Sequence, residues 1–233
     1  MASAAPGQFA MLLCGGGAYL RRPFSFCDAD RAAGTSTFMY RLSGEGTLAL
    51  SRKKPGDALD IMGPLGNGFK VLQSRAAVVG GGIGVFPMLL LLRRLKEAGA
   101  ETDVFAGYSN KDSVVLQREM SAMSNNFYLT SDDGSVGSKG FITEMLSEAL
   151  DNGAKYDVLY ACGPEPMLKA LKHIRGDNGI DAQFSLEQRM GCGIGACLVC
   201  ACAIEPENGP EGAISYARVC KDGPVFDAGK WNI

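Results

Sequence analysis

The hydrophobic rhythm of the chain changes near residue 76. Before that point, short alternating or β-branched runs are cut by glycine and proline: QFAMLLC, RRPFSF, STFMYRLSG, GTLALSR and ALDIMGP. Period-two runs of this length predict antiparallel strands. Beyond it, short apolar runs alternate with stretches of helical period. AAVVGGG, TDVFAGYS, NFYLTSDDG and DVLYACGP predict buried strands. PMLLLLRRLKEAG, SVVLQREMSAM, FITEMLSEALDNG and EPMLKALKHIRG predict helices, the first with Pro87 in its opening turn and Gly99 past its end. DAQFSLEQR adds one more strand. Such alternation predicts a mainly parallel, doubly wound sheet with helices on both faces.

Three units are expected: a small β domain over residues 1–70, an α/β domain over 71–185, and a cysteine-rich module over 186–233. The longest apolar run, residues 85–92, falls far short of the roughly 20 residues that cross a bilayer, so it reads as a buried helix with no membrane role. No Lys or Arg precedes Arg21, which leaves the opening without the basic start of a secretory signal, and a cytoplasmic location is expected.

Charge and composition narrow the chemistry. Lys and Arg number 23 against 25 Asp and Glu, a net charge of -2, which does not provide the basic face of a nucleic-acid binder. The single histidine, His173, lies in the helical pattern LKALKHIRG, so chemistry built on several imidazoles is excluded and a surface or capping role is expected for it.

The cysteines carry the most specific signal. Five of the eight fall within 192–220, where a reducing compartment makes clustered thiols metal or redox candidates rather than disulfides. Cys192, Cys197 and Cys200 stand at C-x4-C-x2-C, with Cys220 as a distant fourth, the spacing of plant-type [2Fe-2S] ligation. Gly191, Gly193 and Gly195 would let the loop curl and aim N–H groups at the sulfurs. A four-cysteine zinc site would usually pair two C-x2-C knuckles, and here the second half offers only Cys220. Cys14 and Cys27 read as packing, and Cys202, a fifth thiol the pattern does not need, as a buried small hydrophobe or else a spare ligand.

Two glycine turns complete the pattern. VVGGGIGVFP follows a strand and opens a helix, where a diphosphate meets exposed N–H groups, although Val85 stands where the dinucleotide fingerprint wants its third glycine. A plain tight turn accounts for it as well. CGPEPM brings Cys162 and Gly163 to the same carboxyl edge of the sheet as Gly82 and Gly84, where open α/β sheets bind ligands, and nucleotide binding becomes the better reading. Cys162 is expected to contact a bound ring rather than act as a nucleophile. Lys111 and Arg118 follow the TDVFAGYS strand, where a 2′-phosphate or only solvent would meet them, so the choice between NAD and NADP stays open.

Together RRPFS, GPLGNGF, GGGIGVFP, CGPEPM and the cysteine module resemble the ferredoxin-reductase superfamily. RMGCGIGACLVC and YARVCKDGPVFDAGKW are similar to one branch of it, the electron-transfer subunits of NAD-dependent (type 1B) dihydroorotate dehydrogenases. The resemblance implies an antiparallel FAD-binding β-barrel, an NAD-binding α/β domain and a [2Fe-2S] module, with FAD, the cluster and NAD as cofactors. Its R-P-x-S motif falls on Arg22, Pro23, Phe24 and Ser25; further flavin contacts match Met39, Tyr40, Arg41, Gly46 and Thr47. GPLGNGF would add donors near the diphosphate or serve as an interdomain turn.

Relatives carry strands ahead of PGQF, reached here at Pro6, so the barrel is expected to be shortened at its N-terminus. The implied partner is an FMN-containing dihydroorotate dehydrogenase catalytic subunit in a two-plus-two heterotetramer, serving pyrimidine biosynthesis, with no catalytic residue for dihydroorotate in this chain. Two alternatives stand beside it: the small subunit of a ferredoxin-linked NADH:NADP⁺ or sulfide-dependent reductase, and a zinc-stabilised interaction module.

Overall fold

The computed structural model describes residues 4–17, 19–206, 210 and 213–232. In the N-terminal part, β1 (Phe9–Leu13) pairs antiparallel with β2 (Arg22–Ser25) on one side. The short strands β3 (Asp28–Asp30) and β4 (Thr35–Thr37) form a separate hairpin. After α1 (Glu45–Ser51), β5 (Asp60–Leu65) takes the other side of β1. Among the described residues this is a three-stranded sheet plus a hairpin, packed together through Leu12, Cys14, Phe24, Phe26 and Ala29.

Two expectations fail here for local reasons. GTLALSR is helix α1, not a strand: the Thr47 hydroxyl accepts from the amides of Ser43 and Gly44 and donates to the Gly44 carbonyl, which closes a turn that a short alternating run does not reveal. Of STFMYRLSG only Ser36 and Thr37 stay in a strand, β4. The chain then leaves the sheet, which frees residues 39–41 to face a cavity.

The second part is a seven-stranded sheet. Six of its strands, β6 (Arg75–Gly81), β7 (Glu101–Tyr108), β8 (Asn126–Ser131), β9 (Ser138–Lys139), β10 (Val158–Cys162) and β11 (Asp181–Ser185), are parallel. Helices α2 (Val85–Glu97), α3 (Gln117–Ser121), α4 (Ile142–Asp151) and α5 (Glu165–Asn178) run between them. Period-two alternation splits the core cleanly. Val78, Val104 and Tyr160 face α2, whereas Ala77, Val79, Phe105 and Leu159 face α4 and α5. SVVLQREMSAM is helical only over Gln117–Ser121. Tyr108 Oη donates to the Val115 carbonyl at 2.7 Å, and Leu116 enters the helix at φ 61, so the β-branched pair before it is held extended.

The cysteine-rich part forms a hairpin of β12 (Ala201–Ile204) and β13 (Ser215–Arg218), and then β14 (Val225–Asp227). β14 pairs antiparallel with β11, giving the sheet order β14-β11-β10-β6-β7-β8-β9. The cysteine loop is thereby anchored to the nucleotide-type sheet. No helix among the described residues is long and apolar enough to cross a membrane.

Candidate functional site

A cavity of about 290 Å³ opens between the N-terminal sheet, the start of α2 and the segment after β11. Pro23, Phe24 and Ser25 line it from β2; Met39, Tyr40 and Arg41 line it from the stretch that leaves the hairpin, and Thr47 from α1. Seven residues singled out for flavin contact thus meet in one place. Phe24 and Tyr40 meet edge to face at 5.5 Å, giving the cavity an aromatic wall. Arg22 and Gly46 lie behind it: the Arg22 guanidinium donates to the Leu20 carbonyl at 2.7 Å, and a Cβ at Gly46 would stand 3.4 Å from Arg22.

Sequence reasoning missed Ile83, Phe86 and Pro87 of the α2 entry, together with Glu187, Met190 and Pro224. Glu187 and Arg41 are the charged residues that line the cavity. Burial pushes the Glu187 carboxyl up from its ordinary value, and Arg41 opposes the shift. No motif marks Glu187, although its place just after a strand at the carboxyl edge of the sheet is a signal that could have found it.

Cys162 faces the same cavity and is buried. Burial pushes its thiol up to about 12, the Glu187 charge adds to this, and a hydrogen bond with Ser185 opposes it. Such a thiol is no nucleophile at neutral pH. The folded state keeps a proton that the unfolded chain loses near 9.0, so this group's contribution to stability is present below that value and is lost as pH climbs toward about 12. Wild-type protein is therefore expected to lose more melting temperature across that window than Cys162→Ala, and native Cys162 to resist iodoacetamide. Rapid alkylation of Cys162 in folded protein would contradict this environment.

A second cavity of about 400 Å³ lies at the carboxyl edge of the parallel strands, lined by Gly81, Gly82, Gly107, Asp132, Pro164 and Met167 among others. Gly82 has φ +54 and open space where a Cβ would stand, so its backbone is bare toward the cavity. Gly84 and Gly163 serve differently. A Cβ at Gly84 would overlap the Cys162 carbonyl, and one at Gly163 would lie 3.1 Å from Gly81 Cα. The two turns interlock backbone to backbone and form the wall between the cavities, with Ile83 and Cys162 on one side and Gly82 and Pro164 on the other. Lys111 and Arg118 line neither.

The cysteine loop begins two residues beyond Met190 of the first cavity. Gly193 and Gly195 have φ 75 and 85, and a Cβ on Gly193 would press into Met11 of β1 at 2.5 Å. With Gly191 lacking a side chain, its Cβ position lies 3.2 Å from Cys197 Sγ, room that a larger residue would take. The amides of Ile194 and Ala196 donate to Cys192 Sγ at 3.4 and 3.3 Å, Gly195 N to Cys220 Sγ at 3.1 Å, and Cys220 N to Cys200 Sγ at 3.4 Å. Backbone N–H groups, led by Ile194 and Cys197, lower Cys192 to about 6.

The thiols approach in two pairs, Cys192 with Cys197 and Cys200 with Cys220, and the consecutive amides of Gly195 and Ala196 point to one sulfur in each. Among the described residues, no three metal-ligating side chains converge on one point. Two-by-two pairing suits a two-iron cluster held by four thiolates better than a single tetrahedral zinc, which would draw all four together. Cys202 is buried on β12.

Residues 187–231 match the family model of the iron-sulfur cluster binding domain of dihydroorotate dehydrogenase B, and residues 78–173 match the oxidoreductase NAD-binding domain. The dihydroorotate dehydrogenase B (NAD(+)) electron transfer subunit of Geobacillus sp. (strain WCH70) is 44% identical over 232 residues, covering 97% of this chain and 86% of its own length. The chain belongs to this family. The corresponding subunit of Fusobacterium nucleatum is 41% identical, covering 95% of this chain and 84% of its own length.

Among solved structures, an NADH-dependent reduced ferredoxin-NADP oxidoreductase superposes with a TM-score of 0.86 at 28% identity, over 98% of this chain and 80% of its own. The ferredoxin reductase of carbazole 1,9a-dioxygenase, at 20% identity and a TM-score of 0.65 over 78% of this chain and 60% of its own, shares the fold. Family membership implies FAD, a [2Fe-2S] cluster and NAD. The residues fit all three: an aromatic-walled cavity, paired thiols under backbone donors, and a bare glycine edge on the parallel sheet.

Proposed function

We propose that this chain carries electrons from the FMN of a dihydroorotate dehydrogenase catalytic subunit, through a [2Fe-2S] cluster and FAD, to NAD⁺ in pyrimidine biosynthesis. The observation that carries the reading is the row of sites. The cysteine loop leaves the first cavity at Met190, and the first cavity meets the second across the wall of residues 81–84 and 162–164. A flavin exchanges hydride with nicotinamide and single electrons with a cluster, so a flavin site between the other two is the arrangement such a relay requires.

On this reading Cys192, Cys197, Cys200 and Cys220 hold the cluster. Pro23, Phe24, Ser25, Met39, Tyr40, Arg41 and Thr47 hold FAD, with Arg22 and Gly46 supporting them, against the N-terminal sheet. Gly82 with Gly84, Cys162 and Gly163 frame the nicotinamide nucleotide. On the same reading the chain divides into units over 1–70, 71–185 and 186–233, and the pairing of β14 with β11 ties the last to the second.

The partner docks on the cluster face. Ile194, Leu198 and Val199 are 54%, 63% and 57% exposed around Cys197, an apolar group that a subunit interface would cover. A two-plus-two assembly in the cytoplasm, where thiols stay reduced, completes the reading. The ferredoxin-linked NADH:NADP⁺ alternative shares the fold, but its solved representative is 28% identical against 44% for the dihydroorotate dehydrogenase subunit.

The test is reconstitution. The chain loaded with FAD and cluster, mixed with an FMN-containing dihydroorotate dehydrogenase subunit, is expected to form NADH when dihydroorotate is added. If the pair reduces an artificial dye but never NAD⁺, the proposal fails.

A further inference from the structure

The turn GPLGNGF was a candidate for flavin contact, but none of residues 63–69 lines either cavity. The turn is used elsewhere. Asn67 Nδ2 donates to the carbonyls of Lys221 and Asp222 at 3.3 and 3.0 Å, and Asn67 N donates to the Gly223 carbonyl at 2.6 Å. Its own carbonyl accepts from Val225 N at 3.4 Å, and it bridges Pro224 in parallel fashion. One residue thus takes up three consecutive carbonyls directly after Cys220.

The clasped segment joins two sites. Its first residue follows the fourth thiol, and Pro224 lines the first cavity. Asp222 in turn holds Arg218 at 3.0 Å, and Arg218 donates to the Gly195 carbonyl at 3.3 Å, beside the amide that points to Cys220 Sγ. On its other side the turn is fixed to the N-terminal part. Gln8 Nε2 donates to the Gly66 carbonyl at 2.7 Å, and a Cβ on Gly66 would stand 2.6 Å from the Gly223 carbonyl and 3.0 Å from the Phe9 ring, which also lines the cavity. An amide presents two N–H donors, and here both are spent on carbonyls, a match no carboxylate of the same shape could make.

We infer that Asn67 is a positioning residue for the relay: it fixes the Cys220 thiol relative to the Pro224 wall of the flavin cavity, and so sets the cluster's environment and its electronic contact with the flavin. Residues that orient a metal ligand from behind tune the metal although they never touch it. This rests on the electron-transfer reading above, and the experiment separates the two.

The experiment compares wild type, Asn67→Asp and Asn67→Ala as complexes loaded with FAD, cluster and the FMN-containing partner. Asn67→Asp sets a carboxylate against two carbonyls, and Asn67→Ala only removes the donors, so the second variant keeps the test usable if the first fails to assemble. Both variants are expected to keep iron and FAD content and the direct reduction of dye by NADH, which does not need the cluster. The cluster's electron paramagnetic resonance signature and midpoint potential are expected to move while the flavin potential stays. Dihydroorotate-dependent NAD⁺ reduction is expected to fall about tenfold.

A variant with wild-type resonance, potential and turnover overturns the inference, as does an equal loss of both activities with an unmoved potential, the result of a merely structural clasp. A wild-type complex that shows no cluster-dependent turnover would instead remove the electron-transfer reading itself.

Discussion

Serine in place of Cys197 is expected to strip the iron from the C-terminal loop and abolish dihydroorotate-linked reduction of NAD⁺. Cys197 is the exposed member of the Cys192 pair, reached by solvent and framed by the small Gly191. A hydroxyl is a hard ligand that remains protonated at neutral pH, whereas iron–sulfur clusters are held by soft thiolates. The loss should exceed the ~10- to 100-fold that removal of a residue behind a ligand produces. FAD should stay bound, because most residues lining that cavity come from the N-terminal part and the α2 entry, and Cys197 is not among those that line it. Iron and sulfide analysis beside the flavin absorption checks both halves. Full iron content with full turnover in Cys197→Ser would mean that the sulfur is not a ligand.

The second large effect belongs to the wall between the cavities. Gly84→Ala is expected to destabilise the protein by about 1–3 kcal/mol, since its Cβ must displace the Cys162 carbonyl from an interlocked turn. NAD affinity should fall with it, because the displaced turn leads into Pro164 of the second cavity. Gly82→Ala is the control. Its site has open space and only a positive φ, so it carries backbone strain of ~1 kcal/mol without a clash. Thermal melts of the two variants should therefore rank Gly84→Ala below Gly82→Ala. The reverse order would show that the turns do not lock as described.

The two turns also show what a sequence pattern can and cannot say. GGGIG and CGP both mark the carboxyl edge of a parallel sheet, and both were legible. Which glycine faces a ligand and which only lets two backbones touch depends on how the loops meet, and no spacing encodes that. Glu187 carries no motif and Pro224 lies in a stretch quoted only with the cysteine module; both enter the first cavity because β11 and β14 are neighbours in the sheet.

GTLALSR and SVVLQREMSAM were misread for a related reason. Thr47 and Tyr108 decided those segments by hydrogen bonds to backbone groups, against the preferences of their own apolar patterns. Asn67 was quoted within a motif, yet its partners lie more than a hundred and fifty residues away along the chain.

The linear order of residues alone determined the alternation of strands and helices in the second part and the C-x4-C-x2-C spacing of the cysteine loop, because side-chain period and ligand spacing are local properties. The flavin motif was legible only through the family resemblance. The tertiary structure decided where those motifs meet. It put seven residues from β2, the stretch after β4 and α1 around one cavity, sent Gly82 to the second cavity and Cys162 to the first across a shared wall, and made Asn67 the clasp behind Cys220. Distance between residues far apart in the chain is fixed by packing, and packing is a property of the folded whole.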